Sequence, residues 1–113
     1  MSSAISCTNC KQPYPESGTP YRCQVCGGLY DFDQFPKFDP SQIQPGRPGI
    51  WRYRQTFGLP DEAPVVSLGE GNTPLLWTEL HGLQVAVKCE YLNPSGSFKD
   101  RGSALLVSFL RVK

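Results

Sequence analysis

The apolar positions along this chain follow two periods, one helical and one alternating, and each predicts a different kind of element. Towards the C-terminus, from Ala104 to Val112, they have helical character. Leu105, Phe109 and Val112, with Leu106 and Leu110 beside them, cover a broad arc. A helix with so wide an apolar stripe is expected to be buried on more than one side. Gln84 to Tyr91 alternates instead. Val85, Val87 and Cys89 fall on one side, and Gln84, Lys88 and Glu90 are among those on the other, which is the period of a strand. Leu29 to Asp33 alternates over a shorter span and predicts a short strand. Val65 to Leu68 and Leu75 to Trp77 are brief apolar runs, read as two more short strands, with a turn cluster, Gly69 to Pro74, between them. Strand, turn and helix in that order are the opening step of an α/β fold, whose ligands bind at the carboxyl ends of strands. Asn93 to Lys99 would occupy such an end.

Glycine and proline punctuate the rest. The chain of 113 residues holds eleven of each. Leu83–Asn93 and Ser103–Lys113 contain neither, so regular structure should be richest there. Pro36 to Pro64 has six prolines and three glycines and reads as an extended arm. Its middle, Ile50 to Phe57, would be a short helix or strand docked on a larger body. Arg52 and Arg54 there are able to bind an anion, but a solvated or salt-bridged surface role is favoured. Tyr30, Phe32, Phe35 and Phe38 are read as rings that pack the N-terminal segment against the rest of the protein. His81 lies beside Gly82 and reads as a loop residue, and Cys89 as a core residue. The boundaries expected are 1–34, 35–64 and 65–113. The last helix is still apolar at Val112 and no stop signal follows it, which predicts a fold that has begun but not closed.

Charge and composition then narrow the function classes. Eleven basic against ten acidic residues give a net charge of +1. That excludes an electrostatic nucleic-acid footprint and a polybasic membrane anchor. No apolar run approaches the roughly 18 residues of a membrane helix. Met1 to Cys7 has neither the basic start nor the apolar core of a signal peptide, so the cytoplasm is the expected location.

Two cysteine pairs carry the first candidate chemistry. Cys7-Thr-Asn-Cys10 and Cys23-Gln-Val-Cys26 are separated by twelve residues that include Pro13, Pro15, Gly18 and Pro20. Each pair spans one tight turn, and the intervening segment suits a hairpin that brings the two together. Four thiolates so placed form a tetrahedral Zn2+ site, and Gly27 and Gly28 let the backbone curl around it. Disulfides would need an oxidising compartment, and a redox Cys-x-x-Cys would not come in duplicate. Four sulfur ligands leave no open position for substrate, so the metal's expected role is structural. A segment this small would draw much of its folding energy from the ion.

Asn93-Pro-Ser-Gly96-Ser-Phe-Lys99-Asp-Arg-Gly102 carries the second. A turn-forming run precedes Lys99 and the apolar helix follows it. Ser97 as N-cap with Asp100 at the third helical position matches a capping box. Lys99 would then sit in the first turn, beside unpaired N–H groups and the positive end of the helix dipole. With partial burial, that setting favours the neutral amine that Schiff-base chemistry requires. From the residues alone, a solvated surface lysine remains the alternative.

With its upstream context from Lys88, this stretch resembles the lysine-attachment signature of the fold-type II pyridoxal-phosphate enzymes. Within that group the chain is similar to the threonine synthase family in three features: the four-cysteine segment, Gly69-Glu-Gly-Asn-Thr-Pro-Leu75, and Ser-Phe-Lys-Asp-Arg around Lys99. The resemblance implies that Lys99 is both the attachment residue for pyridoxal 5′-phosphate and, once freed, the acid/base on substrate carbons. The substrate implied is a small amino acid, O-phospho-L-homoserine, which with water gives L-threonine and phosphate. The implied assembly of the full-length protein is a homodimer. The family's phosphate loop, its asparagine at the cofactor's phenolic oxygen and its group facing the pyridine nitrogen have no match in these residues. The 113-residue chain alone is therefore expected to be inactive. Two alternatives stay open: a serine/threonine dehydratase or other β-replacement enzyme, and a non-enzymatic zinc-ribbon interaction module.

Overall fold

A computed structural model describes residues 5–113. Met1–Ala4, where part of the signal-peptide reading and the start of the cysteine segment fall, lie outside the described residues. The chain opens with two short antiparallel strands, β1 (Ile5–Cys7) and β2 (Tyr30–Phe32), paired Ile5 to Phe32 and Cys7 to Tyr30. The alternation of Leu29–Asp33 thus does mark a strand. Ser6 also bridges to Pro13, and the Tyr14 amide donates to the Ile5 carbonyl at 2.8 Å. The returning loop between the cysteine pairs is therefore stitched to β1. Tyr14 and Tyr30 meet edge to face at 4.7 Å.

The proline-rich segment contains two 3-10 helices. Pro40–Gln42 starts on Asp39, whose carboxylate accepts from the Ser41 amide and hydroxyl. Gly49–Thr56 is kinked at Tyr53. This second piece supplies the core. Trp51 is 1% exposed, and with Ile50 it packs on Ala104, with Phe57 and Leu59 alongside. Among the described residues Arg54 forms no salt bridge. Its Nη2 donates to the carbonyls of Pro60, Asp61 and Ala63 at 3.0–3.2 Å and folds the chain back on itself.

β3 (Leu75–Leu80) and β4 (Leu83–Lys88) form an antiparallel hairpin in register from Leu75–Lys88 to Leu80–Leu83. Its two-residue turn is His81-Gly82, with φ of 50° and 76°. Positive φ at both central residues is the geometry that matches the right-handed twist of the flanking strands. β4 ends at Lys88 rather than reaching Tyr91. Cys89, at ψ 65°, leaves the extended region, and a 3-10 turn, Glu90–Leu92, follows. Cys89 itself is buried, as expected.

The helix α1 runs from Lys99 to Leu110. Its buried face consists of small residues, Ala104 and Ser108, while Leu106, Val107 and Leu110 are exposed. The sequence expectation of broad burial by the large residues is thus corrected. What packs closely is the narrow stripe that lets Trp51 and the Val65–Leu68 segment approach. That segment, expected as a strand, forms none and pairs with none among the described residues. It is tied to α1 instead, because the buried Ser108 hydroxyl accepts from the Val66 amide at 3.0 Å and donates to the Ala104 carbonyl at 2.8 Å.

The cysteine segment meets α1 at two points. Ile5 and Phe32 face Phe57, Leu105 and Phe109 across an apolar cleft of about 240 Å³. At the helix end, Lys113 Nζ donates to the carbonyls of Pro15 and Glu16 and lies over the rings of Tyr14 and Phe109. Phe35, by contrast, is 82% exposed and packs nothing. The molecule mixes strand and helix as expected, but both sheets among the described residues are antiparallel pairs.

Candidate functional site

The two cysteine turns are near copies. The Lys11 amide donates to the Cys7 carbonyl at 3.0 Å, and the Gly27 amide to the Cys23 carbonyl at 2.8 Å. Each turn closes on a left-handed residue, Lys11 at φ 62° and Gly27 at φ 74°. The antiparallel β1–β2 pair sets the turns face to face. Sγ of Cys7 lies 3.4 Å from that of Cys26, and Sγ of Cys10 lies 3.6 Å from that of Cys23. All four sulfurs fall within 4.8 Å of one another. These separations are far beyond a covalent S–S bond of about 2.05 Å, and all four cysteines are free. Gly28 is closely surrounded: a Cβ there would lie 2.8 Å from the Cys7 sulfur.

The thiols do not titrate alike. Hydrogen bonds from the Asn9 side chain and the Gly28 amide hold Cys26 down at about 6. At Cys10 a backbone hydrogen bond at Gln12 pulls downward, but neighbouring sulfurs, Cys26 first, push it up to about 12. Four thiolates this close repel one another unless a cation shares their charge. The cluster is therefore able to hold a metal ion, and soft sulfur donors at these distances suit Zn2+ chemically.

The segment around Lys99 is built from two stretches that are distant in sequence. Asn93 is 4% exposed, and its Oδ1 accepts from the Gly71 amide at 3.0 Å. Its Nδ2 donates to the Glu90 carbonyl at 2.9 Å and to Glu90 Oε2 at 3.1 Å. The Thr73 hydroxyl donates to Glu90 Oε1 at 2.7 Å, and Arg101 closes the network with Nη2 to Thr73 Oγ1 at 2.9 Å. Lys88 Nζ donates to the Thr73 carbonyl. Arg101 holds Glu90 well down, at about 2, with the Thr73 hydroxyl second. The Gly69–Leu75 turn cluster and the Asn93–Gly102 stretch are thus one polar structure.

Within it the turn before Lys99 is locked. The Gly96 amide donates to the Asn93 carbonyl at 2.8 Å, with Pro94 in the preset second position and Gly96 at φ 79°. Asp100 accepts from the Ser95 amide at 2.7 Å and from its hydroxyl at 2.5 Å. The expected capping box of Ser97 and Asp100 does not form, and the N-cap position, Phe98, makes no side-chain cap hydrogen bond. Helix α1 starts at Lys99 with Phe98 ahead of it, Ser97 Oγ accepts from the Lys99 amide at 3.2 Å, and Asp100 reaches back to Ser95 rather than to Ser97. Lys99 is followed directly by two anchored residues, Asp100 on the turn and Arg101 on Glu90. Its own side chain is exposed, not partly buried, and makes no hydrogen bond or ion pair among the described residues. Nζ lies 4.8 Å from the Phe98 ring centre.

A buried acid supports the Gly69–Leu75 loop. Glu70 is 2% exposed and accepts from Trp51 Nε1 at 2.9 Å, Ser67 Oγ at 2.8 Å and the Leu68 amide at 2.8 Å. Burial pushes its carboxyl up, but these donors outweigh it and hold the group below the usual range. Sequence spacing revealed neither the role of Glu70 nor Glu90, Thr73, Asn93 and Arg101 as one network, because their separations follow no local period.

Comparison with known proteins agrees with this geometry. Residues 66–113 match the family described as "Pyridoxal-phosphate dependent enzyme". They belong to that family. The chain is 38% identical over 112 residues to a threonine synthase of Methanocaldococcus jannaschii, covering 90% of this chain and 27% of that protein. It is 34% identical over 113 residues to a threonine synthase of Methanosarcina acetivorans, covering 92% of this chain and 27% of the relative. A Synechocystis threonine synthase is 44% identical over 65 residues, 52% of this chain and 17% of the relative. The chain thus spans about a quarter of the length of the curated relatives it matches most fully. No solved structure matches it significantly. Among the described residues, no helix is long and apolar enough to cross a membrane.

Proposed function

We propose that the chain is the N-terminal part of a cytoplasmic, pyridoxal-phosphate-dependent threonine synthase, a homodimeric lyase of threonine biosynthesis that converts O-phospho-L-homoserine and water to L-threonine and phosphate. The observation that carries this reading is the state of Lys99. Its backbone is fixed on both sides, by the Ser95–Asp100 clamp and the Glu90–Arg101 pair, while its amine is exposed and uncommitted. An attachment residue needs that combination of rigid placement and a free nucleophile. The cofactor, when bound, supplies the electron sink that makes protons on neighbouring carbons acidic. Lys99 would hold it and, when free, would take and return protons at the substrate carbons. Glu90, Thr73, Asn93 and Arg101 position the lysine's turn. The parts of the pocket that bind the cofactor's phosphate and face its ring are assigned to regions beyond these residues, so the 113-residue chain alone is proposed to be inactive.

The four thiols fit a structural Zn2+ held by Cys7, Cys10, Cys23 and Cys26. Their turns are preformed by backbone hydrogen bonds, and a filled sulfur shell leaves the ion no position for substrate.

The test uses the full-length protein with phosphohomoserine, threonine and serine as separate substrates. Release of threonine and phosphate from phosphohomoserine alone supports the reading. Turnover of serine or threonine to an oxo acid in its place supports a dehydratase. Lys99→Ala abolishes the visible absorbance of the bound cofactor; its persistence would refute the assignment.

A further inference from the structure

We propose that the cleft between the 49–53 turn and the start of α1 is a binding site for a small doubly charged oxyanion of the phosphate class. It has a volume of about 380 Å³, and its wall carries Arg52, Lys88 and Arg101 together with Tyr53 and Asn72. No carboxylate lines it.

The donors are already accounted for on one side only. Arg101 spends Nε and Nη2 on Glu90 and Thr73. Lys88 gives one proton to the Thr73 carbonyl and keeps two. The Arg52 guanidinium makes no hydrogen bond or ion pair among the described residues, although its Nε is buried from solvent. A guanidinium has five N–H donors in a fork that fits an oxyanion with two parallel bonds. Burying any of these donors unpaired is costly. Of the three positive charges at the cleft, Glu90 neutralises one, so two remain for a dianion. Asn72, held at φ 50°, and Tyr53 line the same wall. Lys99 does not line this wall. The inference does not rest on the proposed reaction.

The experiment is calorimetric titration of full-length protein with inorganic phosphate, sulfate and glycerol phosphate in low-salt, phosphate-free buffer. Saturable binding weakened by added salt is expected, and the part of it that is lost in Arg52→Gln belongs to this cleft. Preference for glycerol phosphate over inorganic phosphate identifies a phosphorylated small molecule as the ligand; the reverse identifies the free anion. Arg52→Gln removes the charge-assisted donors and should weaken binding at least about tenfold. Asn72→Gly keeps the left-handed backbone and should weaken it severalfold. Lys99→Ala should leave the Arg52-dependent part of phosphate binding unchanged, whatever it does to cofactor binding. The proposal is overturned if the wild type shows no saturable binding, if Arg52→Gln binds as well as wild type, or if Lys99→Ala abolishes phosphate binding. Should Arg52→Gln fail to fold, Asn72→Gly and Lys88→Gln decide, and unchanged affinity in both overturns it.

Discussion

Arg101 grips Glu90 with two donors, Nε to Oε2 at 2.9 Å and Nη2 to Oε1 at 2.8 Å. The pair joins the first turn of α1 to the 3-10 turn that ends the β4 strand, and so it fixes the backbone on which Lys99 sits. Its energetic signature is in pH. Glu90 ordinarily titrates at 4.5 and is held at about 2 in the folded protein, by Arg101 first and the Thr73 hydroxyl second. The folded state therefore binds this proton less readily than the unfolded chain. The stability it contributes is complete above pH 4.5 and drains away as pH falls from there towards 2. Thermal midpoints measured across that window should fall more steeply for wild type than for Glu90→Gln, which has no proton to gain. Parallel slopes would show that the pair is not linked to folding.

The buried acid on the other side of the loop should respond to its indole partner. Trp51→Phe keeps most of the ring volume but leaves Glu70 Oε1 with only the Ser67 hydroxyl. A buried carboxylate that loses a donor costs about 1–3 kcal/mol. A double change, Trp51→Phe with Glu70→Gln, should recover part of that loss, because the neutral amide is cheaper to bury. Urea denaturation of the four proteins closes the cycle. An additive result would show that Trp51 acts through packing alone.

How far the sequence discloses this architecture depends on the range of the interaction. β2, the β3–β4 hairpin and α1 follow from alternation, turn residues and helical periodicity, all of which act within about ten positions. The facing cysteine turns were legible because each Cys-x-x-Cys closes locally and the intervening loop can only return. The Lys99 stretch was visible as a motif, but its exposure was not, since burial depends on what lies across from it. Arg54 shows the same limit. An arginine among prolines looks like surface charge, and only the folded backbone reveals the three carbonyls gathered around it. Ser108 is the plainest case. A serine on an apolar helix gives no hint that its hydroxyl satisfies the Val66 amide 42 residues away.

Metal content gives a direct reading of the four-thiol cluster. Full-length protein should carry one zinc per chain, and Cys23→Ser should lower that by removing one of four ligands. Gly28→Ala leaves all four ligands in place but sets a methyl 2.8 Å from the Cys7 sulfur. It should weaken zinc retention against a chelator while leaving the Trp51 core intact. Equal zinc retention in Gly28→Ala and wild type would mean that the sulfurs tolerate a displaced wall. Absence of zinc from the wild type would remove the metal reading altogether.

Three glycines separate backbone strain from close approach. Gly46 has no positive φ, and a methyl added there would meet nothing within 4 Å, so Gly46→Ala should be neutral or slightly stabilising. Gly69 lies at φ 88° with equally open surroundings, so Gly69→Ala meets only the left-handed penalty of about 1–2 kcal/mol. Gly71 lies at φ 90°, and a Cβ there would sit 2.9 Å from both Gly49 Cα and the Ile50 nitrogen. Neither neighbour is a flexible side-chain tip, so relief requires the 49–56 helix to back away from the loop. That movement would loosen Trp51 from Glu70 and Gly71 from Asn93 together. Gly71→Ala should therefore cost the Gly69→Ala penalty and roughly 2 kcal/mol or more beyond it, in the range of overpacked cores. Chemical denaturation of the three variants in one buffer measures the ladder. A Gly71→Ala variant no less stable than Gly69→Ala would show that the loop and the 3-10 helix can part without loss, and that their contact does not hold the lysine's turn in place.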